Sequence, residues 1–450
     1  MTGDESPAAS TRVGRLTLME WVICAVASLG FAFDLYETLM LPLIVRPALG
    51  ALGNLQPGSS DFNRWVGLLF FVPSVAGGVF GLLGGYLTDL LGRRRVLVWS
   101  ILLYGCSAWA ASLSTSLPQL LLLRCTTLVG VCVEYVAAIA WLAELFPEPA
   151  KRESVLGYTQ AFFPLGGLMV AGAYYLSVTY GDQLPAIREG HEAWRYTLLS
   201  GLIPALPLIV VRPFLPESQI WRQRRLLGTL KRPSVTELFG PSLRRTTLAT
   251  TFLVACSFAL AYGAIQQTAR MVPSLADVQS LAPRRLEQAV SSLQLFQEVG
   301  GIAGRVLFAL LVVRIVTQRQ RLRIFFVGAL VSSSWLYFVA ATRTLELVKL
   351  GIFMVTLVFN GLHSFWGNYL PRVYPTHLRG TGESFATNIG GRVIGVSSVL
   401  LTTQFSNVMS GSGAGARLAY SAGAVAVLAC VMGLVGSSWL PQPEGDRLPE

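Results

Sequence analysis

The sequence predicts an all-α polytopic membrane protein of about twelve spans in two six-helix halves, and three observations predict it. Of 450 residues, 53% are hydrophobic and 13% charged, against roughly 25% charged in a soluble domain. The apolar residues fall into about twelve runs, each near the roughly 20 residues that cross a bilayer as a helix. The cations behind a net charge of +11 gather in alternate loops, which assigns them to topology rather than to nucleic acid. Long uninterrupted runs with little alternation exclude a membrane β-barrel.

Taken in order, the first run is 20–44 and carries Asp34 and Glu37. The second, 64–88, places Gly77, Gly81 and Gly85 at small-xxx-small spacing, which suits close helix packing in lipid. It leads through Asp89 and Gly92 into Arg93, Arg94 and Arg95. The third, 95–115, and the fourth, 119–144, are joined by a loop at 112–118 without a cation. The fourth holds Arg124 and Glu134 and runs out at Glu144, before Lys151 and Arg152. The fifth, 155–179, has Gly166, Gly167 and Gly172, and the sixth is 196–215.

A basic stretch follows, with Trp221, Leu226, Leu227 and Val235 spaced among its cations as in an amphipathic interfacial helix. The remaining runs are 246–270, 290–314, 323–343, 347–371, 384–408 and 417–440. The expected organisation is a tail at 1–18, a half at 19–215, a linker at 216–245, a half at 246–440 and a tail at 441–450. The first 18 residues are polar and unlike a cleaved signal peptide. Positive loops follow even-numbered spans, so both termini are expected in the cytoplasm, in a bacterial inner membrane; Arg284 and Arg285 are the main exception. All six cysteines fall inside runs and read as small buried hydrophobes, with no disulfide expected.

An internal repeat supports two halves. Ala143-Glu144-Leu145-Phe146-Pro147 closes the fourth run, and Pro371-Arg372-Val373-Tyr374-Pro375 closes the tenth. Around Asp89 the second copy has decayed, with Val313 in the acid's place. Duplicated six-helix halves with a site between them are a recurring transporter plan.

Several segments resemble the major facilitator superfamily, in its sugar-porter and organic-acid:proton symporter branches. These are Gly85 through Arg95; Arg124 and Gly130 continuing to Glu134-Tyr135; Glu144, Pro147 and Lys151; Trp194-Arg195 with Arg212 and Pro216-Glu217-Ser218; Glu237-Leu238-Phe239; and Pro375-Thr376 with Arg379-Gly380 and Gly382. Arg372 departs from the pattern, which usually has an acid three residues before the closing proline. The resemblance implies a secondary active transporter working by alternating access, without a cofactor beyond the proton gradient. Its implied partners are a small organic solute, protons and the lipid bilayer, with no nucleic acid, and its implied state is a monomer.

Charged groups inside spans are costly and mark function. Asp34 and Glu37 are three residues apart and share a helix face. At 1.5 Å per residue Asp34 lies about 21 Å from one surface and Arg124 about 8 Å from the other; both depths agree in a core about 30 Å thick. They also match positions where proton-coupled sugar porters hold an acid–arginine pair. Asp34, Glu37, Arg124 and Glu134 are therefore the expected proton-coupling residues. Glu298 and Arg305 are seven apart on one face of the eighth run, and Arg392 follows Gly390-Gly391 on the eleventh; either arginine can hold a carboxylate or serve packing. Asn360, His363, Trp366 and Asn368 stud the tenth, and polar groups beside an aromatic suit an organic ligand. Gln266-Gln267 resembles the paired glutamines of sugar porters. Gly85, Asp89, Gly92, Arg93, Glu144 and Arg379 are expected to gate the inner side, with Asp89 latching the halves.

No catalytic constellation is apparent. No phosphate-cradling glycine loop precedes a lysine, and the three histidines are scattered, so neither an enzyme nor a metal centre is expected. The expected function is proton-coupled symport of an organic acid. A sugar or polyol porter and a metabolite or drug exporter are the alternatives within the class, and a transporter-like receptor outside it.

Overall fold

The computed structural model describes residues 16–442 except 147, 149–150, 153–154, 157, 160–161, 228–233, 313–316 and 376–377; residues 85, 86, 89, 220, 224, 309, 311, 312 and 379 are described by backbone alone. Pro147, Thr376 and His377 therefore lie outside the described residues, as do the side chains of Asp89 and Arg379.

Twelve helical spans follow one another in the expected order. The first is Leu18–Gly53, opened by a capping box in which Thr17 accepts from the Glu20 amide and the Glu20 carboxylate accepts from that of Thr17. It outruns the expected 20–44 because Pro42 and Pro47 do not end it; neighbouring helices tolerate proline in such spans. The second is Ser60–Leu91, the third Arg93–Ser112 and the fourth Leu117–Leu145. The fifth is Leu165–Tyr180, and the sixth is broken into Ala193–Ser200 and Leu202–Val211.

In the second half the seventh span, Arg244–Gly263, tightens into a 3₁₀ stretch at Ile265–Arg270. The eighth is Pro283–Val312, the ninth Gln318–Trp335 and the tenth Leu345–Tyr369. The eleventh runs from Arg379–Phe385 through a π-helical stretch at Ala386–Ile394 to Ser398–Val408, and the twelfth is Ala414–Gly436. Among the described residues ten of these segments are long and apolar enough to cross a membrane; the fifth and eighth helices stand where the other two spans are expected. Large apolar side chains such as Leu122, Ile203, Val331 and Val435 are exposed along the spans, as a lipid-facing surface requires.

The halves repeat their packing. Gly77 on the second span has the fourth span's Cys132 sulfur 2.7 Å from where its Cβ would stand. Gly304 on the eighth meets the backbone carbonyl of Leu357 on the tenth in the same way. Close backbone approach of this kind replaces the hydrophobic drive that lipid does not supply.

The basic loops share one end of the bundle. There Gly92 turns the chain between the second and third spans at φ 96°, a conformation that strains any residue with a Cβ. The Glu217 carboxylate accepts from the Arg94 amide at 3.2 Å, satisfying the start of the third helix. Arg93 pairs with Glu144 at 2.8 Å, and Lys151 with Glu20 at 2.6 Å. Trp221 of the linker helix Gln219–Leu226 packs into this end, whereas Leu226 and Leu227 are exposed.

At the far end the two halves are tied together. Arg46 pairs with Glu287 at 2.5 Å, and the Tyr174 hydroxyl donates to the same carboxylate at 2.6 Å. Arg270 donates to Asn63 Oδ1, and the Asn63 Nδ2 group donates to Ser406 and Asn407. Gln288 reaches Thr179, and Ser291 donates to the Ala171 carbonyl. This end of the bundle is closed.

Candidate functional site

The interior of the first half holds five charged groups. The expected pair is Asp34 with Arg124; the structure instead sets Arg124 against Glu37. The Arg124 guanidinium lies 3.6 Å from a Glu37 carboxylate oxygen and donates to the Glu37 backbone carbonyl at 2.9 Å, and neither side chain is more than 1% exposed. Asp34 faces Glu134, and beside them Glu134 pairs with Arg212 at 2.5 Å. The depth count was therefore one turn off: three residues move a side chain about 4.5 Å along the helix while keeping it on nearly the same face, and that step replaces Asp34 by Glu37.

Sequence reasoning missed Arg212. It stands at the end of the sixth span, next to Pro213, where the sequence marks it only as part of a family-like segment and gives it no role in the site. Gly30, one turn before Asp34, makes room for it: a Cβ there would collide with the Arg212 guanidinium and lie 3.0 Å from Glu134. Tyr104 of the third span lies within electrostatic reach of Asp34, Glu134 and Arg212.

Facing this cluster across the bundle is a second group. Arg305 and Arg392 are both half-buried, and neither is ion-paired among the described residues. Arg392 donates to Asn388 Oδ1 at 2.7 Å. Arg305 lies over the ring of Phe163, which belongs to the first half, at 5.9 Å. Tyr135 of the fourth span interacts with both arginines and with Asp34, so the two groups are neighbours. His363 is within reach of both arginines and sits between the rings of Phe258 and Phe359. Glu298 accepts from Gln294 and Gln297 at 2.8 and 3.1 Å and crosses to Gly167 of the fifth span.

The other expected residues divide. Asn360 is half-buried beside Gly301 and donates to the Thr356 carbonyl. Trp366 is 4% exposed and donates to Ser257 within the second half, so it packs rather than faces the arginines. Gln266 lies beside Tyr262, whose ring neighbours Arg392. Gln267 is held at the far end by Arg270 and the Tyr262 carbonyl. Of the gating set, Arg93 and Glu144 are joined and Gly92 forms the turn; Gly85 stands in the second helix, and the side chains of Asp89 and Arg379 lie outside the described residues.

Two six-helix halves with charged side chains buried between and within them define a multi-pass membrane transporter. The Major Facilitator Superfamily profile matches residues 22–399, and the chain belongs to that family. It is 26% identical over 416 residues to a probable 4-methylmuconolactone transporter of Cupriavidus pinatubonensis, covering 92% of this chain and 89% of that one. It is 26% identical to a 4-hydroxybenzoate transporter of Pseudomonas putida, over 72% of this chain and 75% of the relative. Its fold matches a crystal structure of a D-xylose-proton symporter with a TM-score of 0.69, covering 95% and 99% of the two chains at 18% identity.

Proposed function

We propose that the protein is a proton-coupled symporter for a small organic acid, and one observation carries this reading. Three buried carboxyls, Asp34, Glu37 and Glu134, share two buried guanidiniums, Arg124 and Arg212. One carboxyl is in excess, and a proton is the simplest group that neutralises it in a low-dielectric interior. The half-buried Arg305 and Arg392, neither in a salt bridge among the described residues though Glu298 is within electrostatic reach of Arg305, supply the complementary charge for an anionic solute. Phe163, Tyr135, Phe258 and Phe359 give a ring or other apolar body a place to lie. The names of the two relatives, a lactone and a hydroxybenzoate carrier, support an organic acid.

In this reading the basic end is cytoplasmic, both termini lie there, and the units are residues 19–215 and 246–440 with the linker 216–245 between them. The chain works as a monomer, with the proton gradient as energy source and no cofactor. A sugar or polyol porter is the second reading, favoured by Gln266 beside Tyr262. The test is uptake into proteoliposomes under an imposed inward proton gradient. Accumulation of 4-hydroxybenzoate that collapses with a protonophore supports the proposal. Gradient-driven accumulation of D-xylose instead, with no organic acid moved, selects the second reading.

A further inference from the structure

The closed far end contains a site that the buried charges of the candidate functional site do not account for. A narrow cleft of about 30 Å³ lies there between the halves, lined by Arg46, Asn63, Arg270, Ser274, Ser406 and Arg417. Three cations line it, and Glu287 pairs with Arg46. Arg270 is 9% exposed. Its two terminal nitrogens donate to the neutral Gln267 and Asn63, each at 2.8 Å, and its Nε–H has no partner. Arg417 forms no ion pair among the described residues. A buried guanidinium bonded to amides alone bears an uncompensated desolvation cost, and a second cation across the same cleft raises it.

We propose that this cleft binds a small monovalent anion, a halide or a carboxylate group, and that the bound anion stabilises the closed far end. Arg46 comes from the first span, Asn63 from the second, Arg270 from the seventh and Arg417 from the twelfth. The site exists only while the halves touch, so an anion that prefers it shifts the equilibrium toward the far-closed state by its differential affinity. The proposal does not rest on the substrate proposed for Arg305 and Arg392.

The test uses purified full-length protein in sodium gluconate, whose anion is too large for the cleft, titrated with sodium chloride or sodium acetate at constant ionic strength. The expected result is a rise in unfolding temperature of about 2–4 °C near saturation, with slower amide exchange in residues 54–64 and 410–418. Arg417→Gln, at a half-buried position without an ion pair among the described residues, should abolish both effects, and Arg270→Gln should do the same. Arg392→Gln should keep them, which separates this site from that of Arg305 and Arg392. A response to acetate alone marks a carboxylate site, and a response to both anions a general anion site. No response to either anion in the wild type, or an undiminished response in Arg417→Gln, overturns the proposal.

Discussion

Glu134 and Arg212 meet at 2.5 Å inside the first half, and the carboxyl of Asp34 lies against the same glutamate. Two acids thus share one arginine, while Glu37 has Arg124 to itself. The arrangement separates a pair that is neutral as it stands from a triad that needs one more positive charge. On the proposed function, we assign coupling to the triad.

Asp34→Asn removes the surplus carboxyl and leaves the Glu134–Arg212 pair balanced. The variant should fold, exchange substrate across the membrane, and fail to accumulate it against a gradient. Counterflow and uphill uptake measured side by side in proteoliposomes check this. Uphill uptake at the wild-type level would move the proton site to Glu37.

Gly30→Ala should damage transport out of proportion to stability. The new methyl group occupies the space of the Arg212 guanidinium, and overpacking of this kind costs about 1–3 kcal/mol. Gly172→Ala is the matched control, because a Cβ there meets nothing within 4 Å. Thermal unfolding and transport assays of the two variants are compared directly; equal behaviour would show that Arg212 can relocate without consequence.

Arg392→Gln should raise KM for an organic anion by roughly 10- to 150-fold, the equivalent of losing one charged hydrogen bond of about 1.5–3 kcal/mol. Arg305→Gln should act in the same direction. Uptake kinetics for 4-hydroxybenzoate and for an uncharged analogue distinguish charge recognition from packing: only the acid should lose affinity.

Reporter fusions placed after Gly53 and after Gly228 should give opposite signals, with the second cytoplasmic. Matching signals would contradict the alternation of basic loops on which the orientation rests.

The spans were legible in the sequence because each element must satisfy a bilayer thickness, a property of composition over about 20 residues. Chain direction and basic loops then ordered them. Partner choice among the buried charges was not legible. Asp34 and Glu37 share a face, and deciding which of them meets Arg124 needs a resolution finer than one helical turn. Arg212 was missed because a cation at a span exit carries the same sequence signal whether it points into the loop or back into the helix bundle. Arg270 was hidden for a similar reason: it ends the seventh span, and only the fold shows that Asn63, Ser406 and Arg417 enclose it.

The π-helical stretch at Ala386–Ile394 carries both Asn388 and Arg392. Such a stretch holds more residues per turn than an α-helix, and single-turn bulges of this type behave as insertions. Were the same nine residues wound as regular α-helix, everything beyond them would rotate by about 100°. Arg392 would then leave the face it shares with Tyr135, while the span would stay long enough to cross the bilayer. The aim of this arginine is thus encoded in how the helix is wound, so a change that straightens this stretch at constant length should be far more harmful than most substitutions in the eleventh span.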